Sequence, residues 1–340
     1  MITRDLKTYG ILLPHFGPHA GGDLLLRSTK RIEELGFDAV WVRDHLVFHP
    51  HAYEDPDLTH IEPMVVLSAL AGITRKIVLG TATLIPYRHP IHTALLLGSL
   101  ELMAGKGRVI AGWGLGANDS EFKAIGLGGL DRRKLLEENI AVIRKLWSGQ
   151  ETDFEGEFYK FQHVAIKPVA ASKSSIPIWY GGGSKAAARR AVEYCDGWMH
   201  GRMPRRDTLE RIQRMEKLSE AARRPRPLAC VLPYVSPGRT VEEGMKYFNM
   251  KELLTTTARP EYLLPPSGKF ETLDDLDGAA IAGPADVIIE QVRAFQKIGV
   301  EHFVFDFRTQ FERFEDCVEM VGTEVLPLLH RGDGRKPGSA

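Results

Sequence analysis

The chain has 340 residues, and its 44 Lys and Arg residues balance 44 Asp and Glu residues, so the formal net charge is zero. Without an overall positive field to attract nucleic acid or an anionic membrane surface, the sequence favours a small-molecule partner. Three widely spaced cysteines, no apolar signal core and no apolar run of membrane-spanning length predict a cytoplasmic protein.

The first predicted elements show a recurring junction between a helix and a buried strand. Gly36 suits the left-handed backbone that ends a helix, and an apolar run of strand length, Ala39–Val42, follows it. Similar junctions precede the apolar runs 76–80, 108–112 and 302–307. Four further candidate strands are 9–13, 176–180, 197–200 and 228–234. Near-continuous apolar strands between amphipathic segments are typical of a parallel sheet covered by helices, so we predict an α/β protein with a (β/α)8 TIM barrel.

Helix starts and one interruption complete the outline. Asp23 and Asp207 are predicted at helix N-termini, and another helix is predicted over 132–147. Residues 236–282 contain proline, glycine and acidic clusters and do not continue the alternation of predicted strands and helices. We predict an insertion here that acts as a lid, as a substrate wall or as a surface excursion. We expect one domain over 1–330 and a flexible tail over 331–340.

A charged end, Arg43-Asp44-His45, follows the run Ala39–Val42 directly. Catalytic groups of closed α/β barrels sit at the C-terminal ends of the strands, so Asp44 and His45 are candidates for chemistry. A histidine that is satisfied by its neighbours at a strand end is the structural alternative. The residues alone leave both interpretations open.

Two glycine-rich strand ends are further candidates. Gly181-Gly182-Gly183-Ser184 joins a predicted strand to a helix start, where backbone N–H groups can hold a phosphate, although a tight turn explains the same residues. Gly112-x-Gly114-x-x-Ala117 formally matches a dinucleotide fingerprint, but no acid follows at the end of a second strand. We interpret these glycines as clearance for a flat ligand ring. The candidate polar contacts beside them are Asn118, Asp119 and Glu121.

Other chemistries find little support in the sequence. No metal site is predicted, because His49-Pro50-His51 and the pair His89 and His92 lack carboxylate or cysteine co-ligands at metal spacing. The chain also has no Gly-x-Ser-x-Gly elbow and no reactive-cysteine context, so nucleophilic hydrolysis is not expected.

Taken together, the segments resemble the luciferase-like flavin and deazaflavin oxidoreductases, most of all their F420-dependent branch. The resemblance covers about residues 9 to 330 and rests on order and spacing. The segments that carry it are LGFDAVWVRDHL, KIVLGTATLIPYRHP, RVIAGWGLGANDSEFKAIG, RKLWSG, FEGEFYKF, IPIWYGGGS and YCDGW. It implies a (β/α)8 barrel with a flat tricyclic cofactor at the C-terminal mouth.

The resemblance also implies roles for single residues. Asp44 and His45 match the family's Asp-His strand end beside the ring, where the histidine takes part in proton transfer. Ala82-Thr83 matches a non-proline cis peptide behind the ring, and the Gly181 to Ser184 turn matches the turn that holds the cofactor phosphate. Ala117 stands where the sugar-phosphate dehydrogenase branch has its catalytic glutamate, so neither that acid nor that substrate is assumed here.

We therefore predict an enzyme that transfers a hydride between F420 and a small organic substrate, with FMN as the alternative cofactor and His45 as the catalytic residue. The predicted cofactor-binding residues are Asp44, Thr81, Ala82, Thr83, Gly112, Gly114, Ser120, Gly181, Gly182, Gly183 and Ser184. The alternatives are an FMN-dependent monooxygenase, an NAD-dependent dehydrogenase with an open sheet, and a non-catalytic flavin-binding protein. We expect a homodimer or larger homo-oligomer. The predicted pocket walls are His15, Phe16, Phe48, Tyr53 and the insertion 236–282.

Overall fold

The computed structural model describes residues 2–47, 59–169, 176–255 and 271–334. The strands are β1 (Thr8–Leu12), β2 (Ala39–Val42), β3 (Val78–Thr81), β4 (Val109–Trp113), β5 (Thr152–Glu155), β6 (Lys160–Val164), β7 (Ile178–Gly181), β8 (Gly197–Gly201), β9 (Leu228–Leu232), β10 (Tyr234–Pro237), β11 (Ala280–Gly283) and β12 (His302–Phe305). Eight of them close a parallel barrel in the circular order β1, β2, β3, β4, β7, β8, β9, β12. The predicted TIM barrel is confirmed. The NAD-dependent alternative predicted an open sheet, and the closed barrel shows that this alternative is wrong.

Helices surround the barrel. They are α1 (Gly22–Leu35), α2 (Pro63–Ile73), α3 (Pro90–Ala104), α4 (Asp119–Ala124), α5 (Arg132–Leu146), α6 (Lys185–Tyr194), α7 (Arg205–Ala221), α8 (Val241–Met245), α9 (Met250–Thr255), α10 (Ala285–Lys297), α11 (Phe314–Met320) and α12 (Leu326–Gly332). Helix α1 ends as predicted, because Gly36 takes a φ of 90° and its N–H bonds the carbonyl of Glu33. None of the described helices is both long and apolar enough to cross a membrane.

The interior of the barrel is filled by large side chains from its strands. Trp41 and Trp179 lie against each other with ring centroids 5.3 Å apart. Trp41 donates its indole N–H to Nε2 of His302 at 3.0 Å, and Nδ1 of His302 lies 2.8 Å from the Thr8 hydroxyl. This interior is packed and hydrogen-bonded below the mouth, so a ligand binds above it rather than through it.

The run 228–234, predicted as one strand, is two strands in the structure. Pro233 lies between β9 and β10 and has no N–H to continue the barrel ladder. Strand β10 leaves the barrel and pairs in parallel with β11. Within 236–282 the structure shows parts of this strand pair, the helices α8 and α9 and a 3-10 turn at Asp274–Leu276. Residues 256–270 of the predicted insertion lie outside the described residues.

Four further details of the structure differ from the elements outlined from the sequence. Helix α7 begins at Arg205 behind Pro204, so Asp207 lies in its first turn and does not cap it. Asp23 likewise lies inside the first turn of α1, whose N-cap is Gly21. The antiparallel hairpin of β5 and β6 was not predicted as strands. Helix α12 continues to Gly332, inside the predicted tail 331–340, and residues 335–340 lie outside the described part of the chain.

Candidate functional site

A cavity of about 640 Å³ opens at the C-terminal mouth of the barrel, a size typical of small-molecule sites. The predicted site residues that line it are Asp44, His45, Ala82, Thr83, Gly114, Gly181, Gly182, Gly183 and Ser184. The structure therefore brings together strand ends that are far apart in the sequence. Thr81, Gly112 and Ser120 are not among the residues that line the cavity.

Those three residues have structural partners instead. The Thr81 hydroxyl donates to the Gly112 carbonyl at 3.0 Å and accepts the Gly112 N–H at 2.9 Å, which ties β3 to β4. A Cβ at Gly112 would lie only 2.0 Å from the Thr81 carbonyl oxygen, so this glycine is needed for strand contact rather than for a ligand ring. The Ser120 hydroxyl donates to Asn118 at the start of α4. We leave these residues out of the proposed binding set.

Thr83 occupies the space that two glycines clear. The peptide bond between Ala82 and Thr83 is cis, as the resemblance implied. A Cβ at Gly114 would lie 2.3 Å from Oγ1 of Thr83, and a Cβ at Gly181 would lie 2.5 Å from its Cγ2. Glycine at both positions therefore lets the ends of β4 and β7 close around Thr83, which lines the cavity between them.

His45 is held by a buried carboxylate. Its Nδ1 lies 3.2 Å from Oε1 of Glu121, and its Nε2 lies 3.0 Å from a guanidinium nitrogen of Arg43. Because a guanidinium N–H can only donate, Nε2 carries a lone pair in this arrangement, and the ring proton on Nδ1 is donated to Glu121. The side chain of His45 is 17% exposed and that of Glu121 only 1%. Glu121 therefore fixes the ring orientation while His45 faces the cavity.

Glu121 stays ionised in this position. Burial raises the pKa of its carboxyl group, but hydrogen bonds from His45 and from the backbone N–H groups of Leu46 and Val47 outweigh burial and bring the pKa below its usual range. The Leu46 N–H donates to Oε1 at 2.7 Å. Glu121 therefore places a buried negative charge next to the His45 ring.

His15 fixes the start of the charged end. Its Nε2 accepts the backbone N–H of Arg43 at 2.8 Å, so Nδ1 carries the proton and donates to the Ile61 carbonyl at 3.0 Å. Burial, together with the smaller effects of the charges of Arg43 and Arg308, lowers the pKa of His15 to about 3, although the Ile61 hydrogen bond acts in the opposite direction. His15 was predicted as a pocket wall, yet it is fully buried and acts as a neutral support for the strand end.

Asp44 lines the cavity, but both oxygens of its carboxylate already accept hydrogen bonds from the protein. Arg88 donates from Nε to Oδ2 at 2.8 Å and from Nη2 to Oδ1 at 2.6 Å, and the Ile85 N–H adds a third bond at 3.1 Å. Burial opposes the charge on Arg88, but hydrogen bonding to Asp44 raises its pKa above the usual value. Arg88 also pairs with Glu62 at 2.7 Å. Asp44 therefore ties the loop after β3 to the end of β2.

The glycine turn after β7 leads into a capped helix. The Ser184 hydroxyl accepts the Ala187 N–H at 3.0 Å and is the N-cap of α6. The carbonyl of Gly182 accepts from the Trp198 indole N–H at 2.8 Å, and that of Gly183 accepts from Nε of Arg211 at 3.1 Å. These bonds hold the turn with the start of α6 beside the cavity, the arrangement that binds phosphate groups in other proteins.

The remaining side of the mouth carries arginines. Arg43, Arg202 and Arg308 all line the cavity, after β2, β8 and β12. Sequence reasoning assigned no role to Arg43 and did not consider Arg202 or Arg308. The rule that singled out Asp44 and His45, polar residues directly after a buried strand, also fits both missed arginines. Arg202 has a φ of 44°, an uncommon backbone conformation for a residue with a side chain.

Other predicted features fall outside this lining. Phe16 is buried rather than exposed to the cavity, and it lies under two of the arginines, with the Arg43 guanidinium 4.5 Å and the Arg308 guanidinium 5.4 Å from its ring centroid. None of the described residues of 236–282 lines the cavity. Phe48, Tyr53, His49 and His51 lie outside the described residues. Among the described residues, no group of three His, Cys, Asp or Glu side chains is placed to hold a metal ion.

Comparison with known proteins gives a consistent result. The sequence profile of the luciferase-like monooxygenases matches residues 9–302. An F420-dependent glucose-6-phosphate dehydrogenase from Microbacterium testaceum is 27% identical over 332 residues, which cover 93% of this chain and 95% of that protein. An F420-dependent hydroxymycolic acid dehydrogenase from Mycobacterium tuberculosis is 30% identical over 194 residues, or 56% of this chain and 51% of that protein.

Solved structures share the fold. A coenzyme F420-dependent tetrahydromethanopterin reductase from Methanopyrus kandleri has a TM-score of 0.79 at 21% identity, covering 95% of this chain and 99% of that one. An F420-dependent secondary alcohol dehydrogenase, solved with an F420-acetone adduct, has a TM-score of 0.78 at 19% identity with the same coverage of 95% and 99%. At such low identity the likeness supports the barrel and its topology.

Proposed function

The chain belongs to the luciferase-like monooxygenase family, and from that premise we propose that it is an F420-dependent oxidoreductase that transfers a hydride between the deazaflavin and a small organic substrate. The observation that carries the proposal is the His45 and Glu121 pair, which lines the same cavity as Ala82, Thr83 and the Gly181 turn. The relatives named above support the choice of F420.

The residues present suit a flat cofactor with a phosphate-bearing side chain. Thr83 and the glycine backbones at 114 and 181 form a surface with few side-chain projections on one wall of the cavity. Gly182, Gly183 and Ser184 lie at the N-terminus of α6, where the backbone N–H groups and the helix dipole favour an anion. We propose that the ring lies against Ala82, Thr83 and Gly114, and that the turn holds the phosphate.

The residues of the chain contribute to the reaction by holding or accepting a proton and by keeping the end of β2 in place. F420, when bound, supplies the hydride-transfer chemistry. His45 holds or accepts a proton at Nε2, because Nδ1 is committed to Glu121. Arg43 occupies Nε2 in the structure at 3.0 Å, so this guanidinium has to move before Nε2 can exchange a proton with the substrate. Asp44 and Arg88 keep the end of β2 in place during that exchange.

Separate titrations with F420, FMN and FAD test the proposal. We expect F420 to remain on the protein through gel filtration and to be reduced or oxidised when a substrate is supplied, as followed by ring absorbance. Preferential binding of FMN, with consumption of dioxygen, would favour the monooxygenase alternative instead. Failure of the protein to retain any of the three cofactors contradicts the proposal and the non-catalytic flavin-binding alternative together.

We also propose that the protein is located in the cytoplasm, because its three cysteines are free and buried and a reducing compartment keeps thiols in that state.

We further propose that the protein forms a homodimer through α2 and α3. Helix α2 has no charged residue, and on α3 the only one, Glu101, is buried. Val65, Leu102 and Met103 are 62%, 69% and 65% exposed on these helices. A helix that is apolar on all sides normally has a partner on each side.

Light scattering measures the mass of the protein in solution and so tests the proposed dimer directly. The wild-type protein should have the mass of a dimer, and Leu102→Glu with Met103→Glu should shift it toward the monomer, because two carboxylates would then be desolvated at the interface. Exposed Val241, which lies on α8, gives a matched control as Val241→Glu. A wild-type monomer at all concentrations contradicts the proposal.

A further inference from the structure

His45 has a neighbour besides Glu121 and Arg43. The ring of His60, a half-buried residue, lies with its centroid 5.0 Å from that of the His45 ring, and the two planes are inclined by 60°. Aromatic rings at this separation and inclination attract each other beyond the effect of the area that they bury. Glu121 and Arg43 contact the two ring nitrogens of His45, whereas His60 packs against the ring. His45 is therefore held by packing as well as by hydrogen bonds.

His60 in turn stacks on Phe16. Their ring centroids are 5.4 Å apart, and the two planes are within 11° of parallel. Phe16 is only 2% exposed, and the Arg43 guanidinium lies 4.5 Å from its ring centroid. Both Arg43 and His60 therefore contact His45 and rest on the same buried phenyl ring.

The backbone fixes the position of His60. Phe16 and His60 lie directly opposite each other in an isolated antiparallel bridge, which joins the segments that follow β1 and β2. The bonds on either side of the bridge run from the N–H of Gly17 to the carbonyl of Thr59 at 2.8 Å and from the N–H of Ile61 to the carbonyl of His15 at 2.9 Å. Opposite residues of this kind form a non-hydrogen-bonded pair, whose side chains lie close together on one face. The stack of His60 on Phe16 follows from this register.

Proton exchange at His45 changes the contacts of its ring. Arg43 has to leave Nε2 before that nitrogen can exchange a proton, and the bond from Nδ1 to Glu121 at 3.2 Å then remains. An imidazole that is held at one nitrogen pivots about that bond, and a shift of about 1 Å in a reacting group costs roughly 100-fold in rate. The His60 contact persists when Arg43 leaves, because the backbone bridge places His60.

We propose that His60 is a positioning residue, which keeps the His45 ring in its reactive position after Arg43 has moved away. His60 is not among the residues that line the cavity, so it acts through His45 rather than on a ligand. The inference rests on the proposed function, because that function gives His45 its proton-transfer role. Since the contact is one of ring packing, phenylalanine at position 60 preserves it and alanine removes it.

NMR relaxation of the Cε1–H bond of His45 tests the contact without any cofactor. The protein is labelled with 13C-histidine, and the His45 signal is identified by its loss in His45→Ala. Arg43→Met reproduces the departure of the guanidinium from Nε2. We expect the His45 order parameter to stay high in Arg43→Met, to fall when His60→Ala is added, and to be restored when His60→Phe replaces His60→Ala. His19→Ala, at an exposed position in the segment after β1, is the matched control and should leave the order parameter unchanged. A His45 ring that stays rigid with His60→Ala, or mobile with His60→Phe, overturns the proposal.

A kinetic cycle shows whether His60 acts through His45. On the F420-loaded protein, with a substrate that the wild type converts, His60→Ala should lower kcat roughly 10-fold and leave the affinity for F420 unchanged. In the His45→Ala background the same change should cause no further loss, because the ring that it positions is already absent. A further loss in that background overturns the proposal. Absence of turnover in the wild type contradicts the proposed function, and the relaxation experiment still decides whether His60 holds the His45 ring.

Discussion

The variant His45→Ala is expected to lose roughly 10²- to 10⁴-fold in kcat, the usual contribution of a positioned general acid or base. Its affinity for F420 should stay close to that of the wild type, since the turn at Gly181 to Ser184 and the Thr83 surface are untouched. Stopped-flow absorbance of the deazaflavin ring gives the rate, and fluorescence titration gives the affinity. His163→Ala is the matched control, because His163 is 75% exposed and pairs only with Glu151 among the described side chains.

Glu121→Gln separates orientation from charge in the same experiment. The amide keeps a hydrogen bond to Nδ1 of His45 but removes the buried negative charge beside the ring. We expect a smaller loss of kcat than in His45→Ala, because the ring stays in place and keeps its orientation. An unchanged kcat in His45→Ala would contradict the proton-transfer role, and a wild type that binds F420 without turnover on any substrate would favour the non-catalytic alternative.

The barrel and the strand ends were predictable because they depend on local sequence. Gly36 and the run Ala39–Val42 indicated one helix end and one strand with the bounds that the structure has. Parallel strands that are buried on both faces read as apolar runs, so their ends are marked by the first polar residues. For this reason the order of the residues alone is enough to place Asp44, His45 and the Gly181 turn at one mouth of the barrel.

The partners of those residues could not be predicted, because the contacts join segments that are far apart. Glu121 reaches His45 across 76 residues, and Arg88 reaches Asp44 across 44 residues. Periodicity fixes which face of an element is buried, but it does not say which loops meet above a barrel. Nothing in the sequence indicated, likewise, that Thr81 and Gly112, predicted as cofactor-binding residues, bond each other between β3 and β4.

The variant Arg88→Met is expected to lower the free energy of unfolding by about 3–5 kcal/mol, the usual effect of leaving one member of a buried ion pair without its partner. The side chain of Asp44 is 0% exposed, and Arg88 supplies two of the three hydrogen bonds that this carboxylate accepts from described residues. Methionine keeps much of the volume of the arginine stem, so the lost charge rather than a cavity decides the result. Urea denaturation followed by tryptophan fluorescence measures the change.

A double-mutant cycle decides whether the charge on Asp44 causes the loss. Asp44→Asn combined with Arg88→Met removes both charges, so the double variant should be more stable than the sum of the two single losses predicts. The exposed pair of Arg27 and Glu315, with side chains 59% and 49% exposed, is the matched control, and Arg27→Met should cost only about 0–1 kcal/mol. Additive losses in the Asp44 and Arg88 cycle would contradict the buried ion pair. They would also mean that the β2 end, with its His45, is held in place mainly by packing and by the Glu121 and His15 contacts.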